Sequence, residues 1–171
     1  MNLEKFTDRA KGFLQAAQTV AIRLNHQRIT PLHIAKALLE DSEGMAAGLL
    51  QRAGGQPALA ATAIDAGLSK IPAVTGSGAQ ATPGLDNDAV RLLDSAEQLA
   101  EKAGDSYVTV ERMLTALALS PTPAGEAIKA AGVSPQALNA AIEQLRGGKR
   151  ADSAGAESTY DAMKKFARDL T

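Results

Sequence analysis

An internal repeat constrains the fold of this chain more than any other feature. The segment ITPLHIAKALLED at 29–41 aligns with VTVERMLTALALS at 108–120 when Thr30 is placed on Thr109. The same shift places FLQAAQTVAIRL at 13–24 on LLDSAEQLAEKA at 92–103. After a one-residue gap, LLQRAGGQPAL at 49–59 resembles AIKAAGVSPQAL at 127–138. Single identities mean little in an alanine-rich chain, but the shared order of caps, glycines and apolar positions indicates a duplication.

Each copy of the repeat predicts four helices. In the first copy Thr7 caps a helix over about 8–24, and Thr30 followed by Pro31 begins a second one. The first-copy helices run over about 8–24, 31–40, 44–53 and 57–69, and the second-copy helices over about 87–103, 110–119, 124–131 and 135–146. Asp86 and Ser134 are the expected caps of two helices in the second copy. No segment shows the alternation of a strand.

These elements predict an all-α fold in which two four-helix repeats, related by a pseudo-two-fold axis, pack into one domain. The domain covers 1–146, with repeat one at about 3–70 and repeat two at about 85–146. The polar, glycine-containing stretch 147–158 is expected to be a mobile linker. The amphipathic stretch 159–171 has an apolar face without a partner in this chain, and we interpret it as the start of a following module.

Composition excludes several classes of function. Aromatic residues make up 3% of the chain, so the core must be aliphatic and rich in alanine. The net charge of −1 and the lack of a basic stripe argue against nucleic-acid binding. No apolar run is long enough to cross a membrane, and MNLEKFTDR is too charged for a signal peptide. Together with the absence of cysteine, these features suit a soluble cytoplasmic protein, although absence of cysteine alone proves little.

Motifs for chemistry are absent from the sequence. His26 and His33 are separated by the helix break at Thr30 and Pro31, so we expect no metal site and a structural role for His33. Lys149 follows a glycine but lacks the rest of a phosphate loop, and no GxSxG turn occurs. The sequence therefore predicts no catalytic residue, no cofactor and no nucleotide site in this chain.

Acidic residues outnumber basic ones in the second repeat. Seven acids occur between Asp86 and Leu119, against Arg91, Lys102 and Arg112. The acidic surface that this predicts serves solubility, or it forms a peptide-binding face for basic or apolar segments. The pattern alone does not separate these two interpretations.

The duplication, the TPLHIAKALL and VTVERMLTALA segments, the Ala-Gly helix ends and the GDSYV turn together resemble the Clp amino-terminal repeat domain over about 3–146. The tail TYDAMKKFARDLT is similar to the segment that leads into the first ATPase module of ClpB-type disaggregases. Leu32 before His33 also looks more like the ClpB branch than the ClpC branch.

The resemblance implies a function that residue chemistry does not supply. Such domains cap a homohexameric ATPase ring, engage unfolded or aggregated polypeptide before threading, and work with the DnaK chaperone system. ATP would then bind elsewhere in the longer protein, and this chain alone would be a monomer. The alternative is an adaptor-docking domain of a ClpA- or ClpC-type unfoldase partnered with a protease.

The resemblance also implies substrate-binding residues, namely Thr7, Asp105 and Glu111. Glu111 occupies the position that Leu32 holds in the first repeat, so the two copies differ in charge there. Leu99 is a candidate for an apolar groove beside them, although its counterpart Val20 makes a core position equally compatible with the sequence. As a helix-start acid, Glu111 is expected to contribute less than about 1 kcal/mol to stability.

Overall fold

The computed structural model describes residues 3–40, 44–74, 82–147 and 150–157, which contain eight α-helices, one 3₁₀ turn (Leu3–Lys5) and two short strands. The helices are α1 Asp8–Arg23, α2 Pro31–Leu39, α3 Met45–Arg52, α4 Pro57–Ser69, α5 Asn87–Lys102, α6 Val110–Leu119, α7 Pro123–Ala130 and α8 Pro135–Arg146. The strands are β1 Arg28–Ile29 and β2 Gly84–Leu85. The predicted all-α class is confirmed, and all eight predicted helices occur with ends displaced by about one residue.

Local capping explains why the helix starts were predictable. The side chain of Thr7 accepts a hydrogen bond from the Ala10 N–H at 3.1 Å, and that of Asp86 accepts from the Ala89 N–H at 2.7 Å. Each bond satisfies an amide that the first turn of a helix leaves without a partner. Thr30 and Ser134 cap α2 and α8 in the same way.

Two pairs of extended residues display the pseudo-two-fold relation. Ile29 pairs in parallel with Leu85, and Phe6 forms a parallel bridge with Val108. Under the alignment of the repeats, Phe6 corresponds to Leu85 and Ile29 to Val108, so the two pairings are equivalent and exchange the copies. The sequence predicts no strand here, because two-residue strands are too short to show an alternating pattern.

Helix packing follows the same symmetry. Helix α4 packs on α7 and α3 packs on α8, while α2 contacts α7 and α3 contacts α6. Helices α2 and α6 form the centre of the domain, since every residue of α2 except Lys36 and every residue of α6 except Leu119 is buried. One hydrophobic cluster contains residues of both repeats, so the four helices of one repeat alone would leave apolar faces exposed.

Equivalent glycines end the third helix of each repeat. Gly54 and Gly132 both have a φ of 89°, a left-handed conformation that side chains disfavour. Gly55 lies where the repeats meet, because a Cβ there would be 2.2 Å from the Val133 side chain. The Gln56 N–H also donates to the Ala131 carbonyl at 2.9 Å, which joins the two copies through their backbones.

The described part of the expected linker contacts both repeats. Ala151 and Ala156 are buried together beside Leu145, and Glu157 is 1% exposed. The stretch 150–157 is therefore docked on the domain in this structure, and the mobility expected of a linker stays a prediction. The stretch 159–171 lies outside the described residues.

Candidate functional site

The cap of α1 contributes the first side chain of the candidate site. Thr7 is fully buried, and its Oγ1 accepts from Ala10 while donating to Glu157 Oε2 at 2.6 Å. The hydroxyl therefore serves both its own helix and a residue near the end of the described chain. The resemblance implied Thr7 as a contact residue, and in this structure what it contacts is the chain's own C-terminal segment.

The start of α6 contributes the second part, and it differs from its counterpart in the first repeat. Pro31 at the start of α2 has no N–H, whereas Val110 at the start of α6 has one and donates it to Glu157 Oε2 at 2.9 Å. The next position changes from Leu32 to Glu111. At these two positions the second repeat therefore has a helix N–H donor, which binds Glu157, and a carboxylate, where the first has Pro31 and Leu32.

A buried ionic cluster of five residues holds these parts together: Asp105, Thr109, Glu111, Arg112 and Arg146. Arg146, from the last turn of α8, donates to Asp105 Oδ1 at 2.7 Å and to Glu111 Oε1 at 2.9 Å. Arg112 adds a bond to Asp105 Oδ2 at 3.1 Å, and Arg146 Nη2 also reaches Thr109 Oγ1 at 3.0 Å. Such charge-assisted bonds offset the cost of removing these groups from water.

The pKa values in the cluster follow its hydrogen bonds. Burial acts to raise the pKa of Asp105, but the bonds from Arg146, the Ala151 N–H and Arg112 outweigh it and hold that pKa below its ordinary value. Burial likewise acts to lower the pKa of Arg146, and its bonds and charge interactions with Asp105 and Glu111 raise it overall. Both groups are therefore charged across the physiological range.

Glu157 is the exception in this cluster. Burial raises its pKa, and the nearby charge of Glu111 adds to that rise against the bonds from Thr7 and Val110. Among the described residues, the buried side-chain oxygens without a hydrogen-bond partner are Glu111 Oε2 and Glu157 Oε1. Segment 150–157 thus adds a third buried carboxylate beside Asp105 and Glu111, and its hydrogen bonds come from Thr7 and Val110.

Segment 150–157 binds this surface chiefly through its backbone. The Ala151 carbonyl accepts from the Ser106 and Tyr107 N–H groups at 2.9 and 3.1 Å, and the Ala154 carbonyl accepts from the Asp8 N–H at 2.9 Å. The Ala151 N–H donates to Asp105 Oδ1 at 3.0 Å. These contacts place a stretch of polypeptide over the cluster that contains Asp105.

Leu99 lies apart from these three residues. It is half-buried on α5, whereas its counterpart Val20 is 2% exposed, so the core interpretation holds for Val20 but only partly for Leu99. Leu99 lines an open groove of about 290 Å³ between α5 and α6, together with Leu92, Ala116 and Leu119. Thr7, Asp105 and Glu111 do not line this groove, so the structure places the four candidates in two neighbouring regions.

The predicted acidic surface of the second repeat is smaller than the sequence indicated. Asp105 and Glu111 are buried and bound to arginines, while Asp88, Asp94 and Glu101 are exposed. Because Glu111 is buried and bound to Arg146, we now expect its loss to destabilise the protein more than loss of an exposed helix-start acid would, since Arg146 would keep less compensation for a buried charge. The exposed acids remain available for solubility or for attraction of basic segments.

Arg112, Arg146 and Glu157 were missed by sequence reasoning. Arg146 reaches Glu111 across 35 positions and Asp105 across 41, so no local pattern connects them. One signal existed, because a charged Glu111 at the position of an apolar Leu32 requires a partner once its helix is buried.

The two histidines form a buried chain of hydrogen bonds. His33 Nδ1 accepts from the Thr30 N–H at 2.9 Å, so its proton resides on Nε2, which donates to His26 Nδ1 at 2.7 Å. His26 in turn donates to the Ile71 carbonyl. Burial and the proximity of His26 lower the pKa of His33 to about 4, so the pair is neutral. All four ring nitrogens are engaged, which supports the structural role expected for His33.

Within the described ranges, no cluster of three or more histidine or acidic side chains is arranged to hold a metal ion. No described helix combines the length and apolar character needed to cross a membrane.

Comparison with known proteins extends these observations. The family described as the Clp repeat (R) N-terminal domain matches residues 5–126. The chaperone protein ClpB of Rhodopseudomonas palustris is 54% identical over 172 residues, which cover 100% of this chain and 20% of that protein. The chain therefore spans about a fifth of the length of this relative.

Solved structures show the same fold. The N-terminal domain of Hsp104 from Candida albicans matches with a TM-score of 0.76 and 25% identity, covering 89% of this chain and 98% of that one. A ClpV N-domain solved in complex with a VipB peptide matches with a TM-score of 0.61 and 16% identity, covering 82% and 86% of the two chains, and shares the fold alone.

Proposed function

The chain belongs to the Clp repeat N-terminal domain family, and on that premise we propose that it engages unfolded or aggregated polypeptide on behalf of an ATP-dependent chaperone disaggregase. It is a binding domain in this proposal, and the chemistry that consumes ATP belongs to the longer protein. Thr7, Asp105 and Glu111 form the polar part of the binding site, and Leu99 belongs to its apolar part.

One observation carries the proposal. The surface around Thr7 and Asp105 holds a stretch of polypeptide, 150–157, through main-chain hydrogen bonds at Asp8, Ser106 and Tyr107. Main-chain recognition does not depend on side-chain identity, which suits a domain that must accept many unfolded sequences. The peptide bound to the ClpV N-domain supports the capacity of this fold to hold a segment of another chain.

The groove beside Leu99 supplies an apolar surface, which the polar cluster lacks. Leu119 is 55% exposed at its edge, and the groove is open to solvent. Unfolded chains expose apolar side chains, and burial of such surface provides the non-directional part of binding. Asp88, Arg91 and Lys102 also line the groove, and Asp88 lies 3.5 Å from Arg91, so the charges at the groove do not select basic segments.

For the longer protein we propose the role of its relatives. A homohexameric ring would receive the captured polypeptide, bind ATP and act with the DnaK system in the cytoplasm. The similarity to ClpB over the full length of this chain favours this assignment over an adaptor-docking domain of a ClpA- or ClpC-type unfoldase.

A binding measurement with matched variants tests the proposal. Reduced, carboxyamidomethylated ribonuclease A is a basic chain that its blocked thiols keep unfolded, and it can be titrated by fluorescence anisotropy. We expect an affinity in the micromolar range or weaker, about −8 kcal/mol or less favourable. Glu111→Gln preserves the size of a buried side chain and should weaken binding, whereas Glu126→Gln, at an exposed position of α7, should not.

The apolar part has its own control. Leu99→Ser should weaken binding, and Leu59→Ser, at a residue 47% exposed on α4, should leave it unchanged. Equal binding by the wild type and by both site variants would contradict the assignment of the site.

A further inference from the structure

The group that occupies the polar site in this structure is the chain's own segment 150–157. It supplies three kinds of contact: backbone atoms of Ala151 and Ala154, small buried side chains of Ala151 and Ala156, and the carboxylate of Glu157. Its remaining side chains at 152, 153 and 155 are exposed or absent. The segment is therefore held by features that a foreign polypeptide could also offer.

The groups beneath the segment form a row of donors. The Asp8, Ser106, Tyr107 and Val110 N–H groups all point to acceptors in 150–157. Thr7 adds a hydroxyl donor. If the segment leaves, these donors lose their protein partners and become available to the carbonyl groups of another chain.

Docking of the same segment brings the carboxylate of Glu157 close to the like charge of Glu111. Glu157 is 1% exposed and faces Glu111, and each carboxylate keeps one oxygen without a hydrogen-bond partner. Arg112 and Arg146 bind Asp105, and Arg146 also binds Glu111. The hydrogen bonds that Glu157 accepts come instead from Thr7 and the Val110 N–H. Closure therefore includes an unfavourable contact that opening would relieve, which suits an exchangeable occupant better than a permanent part of the core.

We infer that 150–157 is an intramolecular strap that competes with foreign polypeptide for the surface formed by Thr7, Asp105 and the start of α6. This inference rests on the proposed function, because it describes the regulation of that same site. While the strap is closed, a foreign chain reaches the polar site only by displacing it, so the apparent affinity is reduced by the fraction of molecules that are open.

The position of the strap in the chain can couple binding at the site to the length of the connection that follows the domain. The segment follows α8 and precedes 159–171, which we interpret as leading into the next module of the longer protein. Displacement of 150–157 by a captured chain would lengthen the connection between this domain and whatever follows. Binding of a foreign polypeptide at the site and the length of this connection are thereby coupled through segment 150–157.

The test uses the complete 171-residue chain and two matched substitutions within the strap. Glu157→Ala removes the carboxylate that Thr7 and Val110 hold, while Asp152→Ala removes the same charge from an exposed position. Neither substitution alters Thr7, Asp105 or Glu111. Binding of unfolded ribonuclease A is measured for each protein, and thermal unfolding confirms that each remains folded.

We expect Glu157→Ala to bind about tenfold more tightly than the wild type. The substitution removes the two charge-assisted bonds from Thr7 and the Val110 N–H that favour closure, and this loss outweighs relief of the repulsion by Glu111. Asp152→Ala should bind like the wild type. Ala156→Asp, which places a charge at a buried position, is a second way to release the strap and should also strengthen binding.

Two failures are distinguishable. If both strap variants bind like the wild type, and Glu111→Gln added to each of these proteins weakens its binding, the proposed function stands and the strap inference is overturned. If neither the wild type nor the strap variants bind the unfolded chain, the proposed function is overturned and the strap has nothing to regulate.

Discussion

Thr7 donates a hydrogen bond of 2.6 Å to Glu157, a residue 150 positions further along the chain. Both side chains are buried, and the same Glu157 oxygen accepts from the Val110 N–H of the other repeat. One carboxylate thus bridges the first helix of repeat one and the central helix of repeat two. This relationship closes the candidate site with the chain's own C-terminal segment.

Thr7 has two roles that substitution can separate. Thr7→Ala should lower the free energy of unfolding by about 1–2 kcal/mol, because it removes the cap of α1 and the bond to Glu157. Thr7→Ser keeps a hydroxyl at the same place and should recover most of this loss in chemical denaturation. A full loss in the serine variant would show that the methyl group, and not the hydroxyl, matters.

Glu111 is expected to be a major contributor to stability. Glu111→Ala leaves the buried Arg146 without one of its two carboxylate partners and should cost about 3 kcal/mol. Glu126→Ala, in an exposed pair with Lys129, should change stability by less than about 0.5 kcal/mol. Urea denaturation of both variants provides the comparison, and equal small effects would contradict the buried cluster.

Two of the helical glycines, Gly12 and Gly125, should respond in opposite ways to substitution by alanine. A Cβ on Gly12 meets nothing within 4 Å, so Gly12→Ala should stabilise α1 by about 0.5–1 kcal/mol. A Cβ on Gly125 would lie 2.0 Å from the Ser120 carbonyl oxygen, so Gly125→Ala must displace backbone and should destabilise the protein. Melting temperatures that rise together in the two variants would contradict the close approach at Gly125.

The histidine pair should make stability depend on pH. Because burial lowers the pKa of His33 from 6.5 to about 4, the folded state binds fewer protons than the unfolded state in this range. Its contribution is therefore complete above about pH 6.5 and is lost as the pH falls toward 4, amounting to about 3 kcal/mol. Denaturation of the wild type and His33→Ala at several pH values isolates this dependence, and parallel curves for the two proteins would contradict it.

The repeat made the fold predictable, because caps such as Thr7 and Asp86 and the glycine at 54 act within a few residues of their own position. The alignment of Thr30 with Thr109 then related the two halves before any contact was known. The paired bridges at Ile29 and Phe6 were not predictable, since they are too short to leave a periodic pattern.

The candidate site was predictable only in part. The charge difference between Glu111 and Leu32 was visible in the sequence, but the arginine that compensates it comes from the end of α8. The contact between His26 and His33 was likewise hidden, because the break at Thr30 separates them along the helix while bringing their rings together. Docking of 150–157 depends on backbone atoms, which a polar sequence rich in small residues does not reveal.

An NMR titration of the 171-residue chain with unfolded ribonuclease A observes the site and the strap in the same sample. We expect the amide signals of Asp8, Ser106 and Val110 to shift together with those of 151–157, as the foreign chain replaces the strap acceptors. Shifts confined to other surfaces, with the signals of 151–157 unchanged at saturation, would contradict it.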